Sequence, residues 1–387
     1  MAKLHSLEFI EKLVGFDTTS RESNLELISY VQDYLSGLGV ESLLVENDEG
    51  SKANLYATLG DPAKPGIMLS GHTDVVPVDG QAWDTNPFRL TQKDGKLYGR
   101  GTADMKSFIA IVLAFVPKLL KKGVKTPVHL AFSYDEEIGC IGVRRLIEKL
   151  KGFAVRPAFC IVGEPTSMQV VTGHKGKRSF VARVRGHEAH SALAPLGVNA
   201  IEYAAELIGH LKRLATLKQK QGPFDSLYDV THTTVHTGTI AGGIQLNIVP
   251  KSCRVEFEFR YLAEDDPDAL EAGIRAYAKE EIEPRMRAIA PETGIDIERV
   301  NEMPGLDTDP NAEVVAFVKA LAGRNDHAKV AFGTEAGLFA ARADIPTVVC
   351  GPGAIAQAHR PNEFITLEQV AKGEEFMKRL MEKVCGR

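Results

Sequence analysis

Cysteine is scarce in this chain of 387 residues, which contains only five, odd in number and widely spaced. No two of them form a Cys-x-x-Cys pair. The chain therefore lacks the cysteine spacing of a disulfide framework. We expect the cysteines to be reduced thiols in a cytoplasmic protein.

An excess of positive charge and a long apolar run are also missing. Lysine and arginine number 46 against 51 aspartates and glutamates, which gives a net charge of −5, and there is no basic block. This argues against nucleic acid as a partner. No apolar stretch approaches the roughly 20 residues of a membrane span, and the N-terminal residues lack the apolar core of a signal peptide. We therefore expect no membrane partner.

Apolar residues make up 44% of the chain and charged residues 25%, values that are typical of a globular protein with large cores. The length predicts two to three domains. Up to about residue 165, strands such as 127–134 alternate with helices such as 105–122 and 138–150. This alternation predicts an α/β fold with a mixed, largely parallel sheet.

The pattern changes after Gly176. Residues 178–185 and 253–260 alternate as half-buried strands, and 244–249 is predicted as another strand, with helices around them. This run has antiparallel character and predicts an inserted α+β domain with a ferredoxin-like order of elements. The α/β pattern resumes after Pro304. We therefore predict a first domain formed by residues 1–176 and 304–387, and an inserted domain of residues 177–303.

Five side chains that can bind metal lie at the ends of predicted strands or in the loops after them: His72, Asp104, Glu137, Glu164 and His359. Open α/β sheets bind their ligands at such strand ends. Three carboxylates and two imidazoles can hold two Zn²⁺-like ions if one carboxylate is shared. The set predicts metal-assisted hydrolysis.

Each of these residues also has an ordinary structural explanation. Asp104 precedes a long predicted helix and could be its N-cap. Glu136 and Glu137 could be solvated acids at a helix N-terminus, favoured by the helix dipole. Alternatively, one of the two binds metal and the other faces a water molecule as general base. Asp74, two residues after His72, points the same way as His72 in an extended segment and could orient its ring.

Two other classes of protein, a dinucleotide-binding dehydrogenase and a metal-binding protein without catalysis, fit the sequence less well than a hydrolase. The glycines before Asp104 are not a dinucleotide-binding fingerprint, because Asp104 occupies the position of the third glycine. A metal-binding protein without catalysis would leave Glu136 without a role. The adjacent pair of Glu136 and Glu137 favours the enzyme.

Six segments together resemble the dinuclear-zinc aminoacylase and peptidase family, in order and over essentially the whole chain. They are Ser70–Pro77, Leu97–Ser107, Ser133–Gly139, Val162–Thr166, Gly186–Ala192 and Ala358–Glu363. The resemblance implies two Zn²⁺ ions, for which Co²⁺ or Mn²⁺ could substitute.

The resemblance also implies a role for each metal-site residue. His72 and Glu164 would hold one ion, Glu137 and His359 the other, and Asp104 would bridge them, its peptide bond to Met105 being cis. Glu136 would be the general base and acid, and Asp74 would orient His72.

The inserted domain resembles the family's lid and dimerisation domain, which implies a homodimer. His190 would stabilise the oxyanion in the active site, in cis or across the dimer. Asn247 and Arg260 match positions that contact the substrate. Thr334 lies in a segment, Phe332–Ala336, that looks most like the acetylornithine deacetylases of the family; we expect it to contact substrate too.

The resemblance therefore implies hydrolysis of a small N-acyl amino acid, N2-acetyl-L-ornithine first among them, in arginine biosynthesis. Other N-acyl amino acids remain open as substrates, including succinyl-diaminopimelate, acetylcitrulline and those of a general aminoacylase. A dipeptidase or carboxypeptidase built on the same site also remains open.

Overall fold

The structure is a computed structural model that describes residues 4–386. These residues divide into two compact units. The first contains residues 4–174, 306–329 and 334–386, and the second contains 175–305 and 330–333. The boundaries differ from those predicted by two residues or fewer, but the return of 330–333 to the second unit was not predicted.

Helices and strands alternate through much of the chain. The helices are α1 (Leu7–Val14), α2 (Leu25–Gly37), α3 (Lys106–Lys122), α4 (Val143–Lys151), α5 (Ala200–Gln221), α6 (Pro267–Ala276), α7 (Glu283–Ile289), α8 (Glu313–Ala322), α9 (Ala336–Ala343) and α10 (Leu367–Cys385). Short 3₁₀ helices span Ser191–Leu196 and Ile355–Gln357, and a π-helical segment, Tyr277–Ile282, joins α6 to α7.

The strands are mostly short. They are β1 (Ser42–Glu46), β2 (Ala53–Leu59), β3 (Ile67–His72), β4 (Thr91–Lys93), β5 (Lys96–Tyr98), β6 (Val128–Ser133), β7 (Phe159–Val162), β8 (Val171–His174), β9 (Gly176–Arg185), β10 (Thr234–Gly242), β11 (Ser252–Tyr261), β12 (Gly294–Met303), β13 (Leu306–Asp307), β14 (Ala328–Val330), β15 (Thr347–Val349) and β16 (Phe364–Thr366).

The main sheet of the first unit is mixed, with parallel strands at its centre. Its order is β1-β2-β6-β3-β7-β15-β8-β13, with β14 beside β8. Strands β6, β3, β7 and β15 run parallel to one another. Strands β3, β6 and β7 are fully buried, as expected for parallel strands covered on both faces. The α/β fold class is confirmed.

Helix α3 is the central helix of the first unit's core. Its residues 106–116 are all buried, because the helix is apolar almost all round. It packs against α1, α10 and strands of the sheet. This packing fixes the start of α3, and with it Asp104, relative to the strand ends.

The second unit has the order β9-α5-β10-β11-α6-α7-β12, with a four-stranded antiparallel sheet ordered β10-β11-β9-β12. This is the ferredoxin-like arrangement. Its core lies between the sheet and the helices, and includes Phe180, Leu207, Phe257 and Ile282. The prediction of a strand at 244–249 was wrong: the segment contains only an isolated bridge at Ile248, and Leu246 is 99% exposed.

Two further elements differ from the prediction. Helix α4 begins at Val143 rather than near residue 138, because Gly139 and Cys140 adopt positive φ angles that interrupt a helix. Helix α9 was not predicted, since its eight residues fall between loops and show no strong helical period.

None of the five cysteines, all within the described residues, forms a disulfide, as predicted. No helix among residues 4–386 combines the length and the apolar character that crossing a membrane requires.

The buried ring of His129, on β6, should make the stability of the first unit depend on pH. The ring is 3% exposed, stacks on Tyr56, and contacts the Thr58 hydroxyl at 3.0 Å. Burial lowers the pKa of His129 to about 4, against an unfolded value of about 6.5. Between these values only the unfolded state binds the proton, so stability falls as pH falls from 6.5 towards 4.

Between pH 7 and pH 5 we expect the free energy of unfolding to fall by about 2 kcal/mol more in wild type than in His129→Gln, which lacks the titrating ring. The measurement is urea unfolding of metal-free protein at both pH values. His187→Gln, at an exposed histidine of the second unit, is the control and should match wild type. Equal losses in wild type and His129→Gln would contradict the assignment.

Candidate active site

The carboxyl ends of β3, β6 and β7 meet at one edge of the sheet, because these strands run parallel. His72 is the last residue of β3 and is 1% exposed. Its Nε2 lies 3.1 Å from Oδ1 of Asp104 and 3.8 Å from Oε1 of Glu164. Glu164, two residues beyond β7, is buried as well. We treat these three residues as one group of possible metal ligands, because both carboxylate oxygens lie near the same ring nitrogen of His72.

His359 completes a second group with Asp104 and Glu137. Its Nε2 lies 3.2 Å from Oδ2 of Asp104 and 3.1 Å from Oε2 of Glu137. His359 is the more open of the two histidines, with a side chain 52% exposed. Each oxygen of Asp104 therefore faces a different imidazole.

These distances fit two bound cations. Zinc bonds of about 2.0–2.2 Å in a tetrahedral arrangement place neighbouring ligand atoms roughly 3.3 Å apart, close to the spacings here. Oε1 of Glu137 is buried and has no hydrogen-bond partner among the described residues, an arrangement that a cation would relieve. The peptide bond between Asp104 and Met105 is cis, as the resemblance implies.

The electrostatics of this edge also favour cations. Burial, together with the charge of Asp104, raises the pKa of Glu164 well above its usual value and raises that of Glu137. Hydrogen bonds to Asp104 and Glu137 raise the pKa of His359 to about 10. Buried carboxylates this close repel one another, and the protein without metal offsets the repulsion by protonating the site. Divalent cations would replace those protons.

Asp74 contacts His72 differently from the prediction. The hydrogen bond of His72 Nδ1 goes to the main-chain oxygen of Asp74 at 2.9 Å, and the carboxylate Oδ1 is farther away, at 3.5 Å. The carboxylate instead accepts the Ser20 hydroxyl and the backbone N–H groups of Glu136 and Glu137, at 2.8, 3.1 and 3.2 Å. Asp74 thus holds both the His72 ring and the turn of the two glutamates.

Glu136 lies beside the first group of ligands. A carboxylate oxygen of Glu136 is within 4.8 Å of ligand atoms of His72 and Glu164. The Cys140 thiol donates a hydrogen bond to its Oε1 at 3.1 Å. Burial, with added repulsion from Glu137, raises the pKa of Glu136 to about 8. A carboxyl group with such a pKa can both take up and release a proton near neutral pH.

Three of the four remaining predicted residues, His190, Asn247 and Arg260, belong to the second unit. His190 and Asn247 are exposed, and Arg260 is paired with Glu258 at 2.9 Å. Thr334 is in the first unit but is 1% exposed, and its hydroxyl accepts the backbone N–H of Ala336 at the start of α9. Their roles towards a substrate stay predictions.

Two buried acids were missed by the sequence reasoning. Glu335 accepts hydrogen bonds from the hydroxyls of Ser70 and Ser133 at 2.6 and 2.7 Å, and so joins the ends of β3 and β6. Glu363 accepts the backbone N–H of Asp104. Both acids lie in segments that resembled the family, and this was the only signal that marked them.

The sequence model described as "Peptidase family M20/M25/M40" matches residues 68–383. An acetylornithine deacetylase from Proteus mirabilis is 35% identical over 373 residues, which cover 95% of this chain and 92% of that protein.

Two solved structures share the fold. An aminopeptidase, PepT, from Bacillus cereus superposes with a TM-score of 0.76 at 24% identity, covering 99% of this chain and 98% of that one. A dinuclear metal-binding peptidase of the M20 family from Bacillus subtilis gives a TM-score of 0.67 at 15% identity, covering 98% of each chain.

The two groups of ligands predict how bound metal responds to the loss of one histidine. In His359→Ala we expect one of two bound zinc ions to be lost, because Asp104 and His72 still form the other group. The measurement is zinc per chain by elemental analysis after gel filtration. His187→Ala is the control. Two ions retained by His359→Ala would contradict this ligand assignment.

Proposed function

The chain belongs to peptidase family M20/M25/M40 and is a metal-dependent hydrolase, and we propose that it converts N2-acetyl-L-ornithine to L-ornithine and acetate. The observation that carries hydrolysis is the position of Asp104, whose two oxygens face His72 and His359, with Glu136 beside them. The substrate is supported by the 35% identity to an acetylornithine deacetylase over 95% of the chain.

We propose two Zn²⁺ ions as the cofactor, one held by His72, Asp104 and Glu164, the other by Asp104, Glu137 and His359. Imidazole and carboxylate donors suit Zn²⁺, and Co²⁺ or Mn²⁺ accept the same donors. Such ions, when bound, lower the pKa of water and polarise an acyl carbonyl. Asp104 would link the two groups, because its carboxylate would supply one oxygen to each ion.

Glu136 would move the proton of the reaction. Its Oε1 accepts the Cys140 thiol, so we assign the proton to Oε2. This oxygen would take a proton from the attacking water and return it to the departing amine nitrogen. Asp74 supports this step, since its carboxylate fixes the backbone from which Glu136 projects.

The second unit would supply the rest of the site. We propose that His190 stabilises the developing oxyanion, and that Asn247 and Arg260 bind the carboxylate side of the substrate. We further propose a cytoplasmic homodimer formed through this unit, with a role in arginine biosynthesis. Thr334, which we also proposed as a substrate contact, is less accessible, because it is 1% exposed.

We expect metal-dependent amine release chiefly from N-acetyl-L-ornithine. The measurement compares it with N-succinyl-diaminopimelate, N-acetyl-L-citrulline, N-acetyl-L-methionine and a dipeptide, before chelation, after chelation and after zinc is restored. Preferential release from another compound in the panel would contradict the proposed substrate but retain the hydrolase. No release from any of them by protein with two zinc ions would contradict the proposed function.

We expect Glu136→Gln to lower kcat by about 10²–10⁴-fold, the usual contribution of general acid–base catalysis. Bound zinc should stay at the wild-type level, because Glu136 is not a ligand in this proposal. Glu148→Gln, at an exposed glutamate of α4, is the matched control. Loss of zinc from Glu136→Gln would show that Glu136 is a ligand.

A further inference from the structure

A buried ion pair lies next to the two groups of ligands without belonging to either. Arg100 and Glu363 are each 1% exposed, and Arg100 Nη1 lies 2.7 Å from Oε2 of Glu363. The small sheet of β4, β5 and β16 brings them together. Phe364 pairs with Tyr98 in antiparallel register, so Glu363, next to Phe364, lies close to Arg100, two residues after Tyr98. The reaction proposed above gives this pair no role.

The second oxygen of Glu363 holds the backbone of the bridging ligand. Oε1 accepts the N–H groups of Ala103 and Asp104 at 2.8 and 3.1 Å. The main-chain oxygen of Glu363 also accepts the N–H of Gly99 at 3.0 Å. One side chain thus fixes the loop from which the Asp104 carboxylate projects.

Arg100 extends the same network to the other ligand segment. Its Nη1 also donates to the main-chain oxygen of Arg360 at 3.3 Å, and its Nη2 donates to Oε1 of Gln81 at 2.6 Å. Gln81 in turn donates from Nε2 to the main-chain oxygen of His359 at 3.3 Å. The guanidinium therefore holds the backbone at His359 and at the residue after it.

We propose that Arg100 and Glu363 are positioning residues that fix the Asp104 loop against the His359 segment, so that Asp104 Oδ2 and His359 Nε2 converge on one metal ion. This inference rests on the metal site of the proposed function. The expected effect falls mainly on the group formed by Asp104, Glu137 and His359, because the network joins the Asp104 loop to the His359 segment. Its contact with the His72 segment is a longer bond, from Nη2 of Arg100 to the main-chain oxygen of Pro77 at 3.5 Å.

The pair is poorly suited to a purely stabilising role. Buried ion pairs lose much of their attraction to desolvation, and apolar side chains of similar size often stabilise as well or better. Nε of Arg100 has no hydrogen-bond partner among the described residues, a further cost of burial. What apolar side chains cannot provide is the set of directed bonds to the Asp104 and His359 segments.

Trp83 gives this network its own optical signal. It is the only tryptophan of the chain. Its Nε1 donates to Oε1 of Gln81 at 3.1 Å, and the Arg100 guanidinium lies 5.1 Å from the centre of its ring. Tryptophan emission therefore reports on the contacts that Arg100 makes, independently of turnover.

The test titrates Zn²⁺ stepwise into metal-free wild type and variants and compares the affinities of the two sites. Trp83 fluorescence and competition with a chelator are the two measurements of binding. Arg100→Lys keeps the charge but loses the planar fork of donors, and Glu363→Gln keeps the shape but loses the charge. In both we expect the Zn²⁺ site of Asp104, Glu137 and His359, identified in the same titration as the site that His359→Ala lacks, to lose about 10–100-fold in affinity, as when residues supporting metal ligands are changed. The Zn²⁺ site of His72, Asp104 and Glu164 should lose less affinity, because Asp104 is the only one of its three ligands whose backbone Glu363 holds.

The double variant Arg100→Met/Glu363→Met separates positioning from stability. Replacing both partners by apolar side chains leaves no buried charge without its partner, so we expect a Tm above that of either single variant, with the site of Asp104, Glu137 and His359 still impaired. Arg145→Lys, at an exposed arginine paired with Asp48, is the control.

Wild-type affinity for both ions in the single variants would overturn the proposal, as would recovery of the site of Asp104, Glu137 and His359 together with Tm in the double variant. If the double variant does not fold, the single variants decide by themselves. Wild-type protein that binds fewer than two zinc ions would instead refute the proposed metal site, a result that is distinguishable before any variant is compared.

Discussion

The structure depends on one arrangement: a buried aspartate whose two carboxylate oxygens face two histidines from different parts of the chain. Asp104 lies 3.1 Å from His72 and 3.2 Å from His359, between further buried glutamates. So many acids in an apolar core repel one another and lose their hydration. Divalent cations would relieve this repulsion, so the arrangement of this edge fits the requirements of metal binding.

Each acid that supports this edge fixes backbone or strand ends rather than a single side chain. Asp74 accepts the N–H groups of Glu136 and Glu137, and Glu335 joins β3 to β6 through two serine hydroxyls. Glu363 does the same for the Asp104 loop. Their oxygens are satisfied by protein donors, whereas Glu137 keeps a buried oxygen without a partner. This contrast distinguishes Glu137 from the supporting acids.

Much of this edge could be predicted from the sequence, because parallel strands place their carboxyl ends together. His72, Glu137 and Glu164 each end or closely follow a strand that its apolar run reveals, so their convergence follows from the fold class. Helix α3 and the ferredoxin-like order of the second unit were also visible in the periodicity. The segment 244–249 misled because apolar residues alternate in it as in a strand, whereas two of them, Ile244 and Leu246, are exposed to solvent.

The residues that escaped prediction have partners far away in the sequence. Glu335 bonds to Ser70 and Ser133, 265 and 202 positions distant, and Glu363 bonds to Asp104 across 259 positions. No local period encodes such contacts. Glu335 stands at the start of α9, where an acid is favoured by the helix dipole alone. The local pattern is therefore the same for a solvated helix terminus and for a buried bridge between strands, and only the tertiary hydroxyl donors distinguish the two.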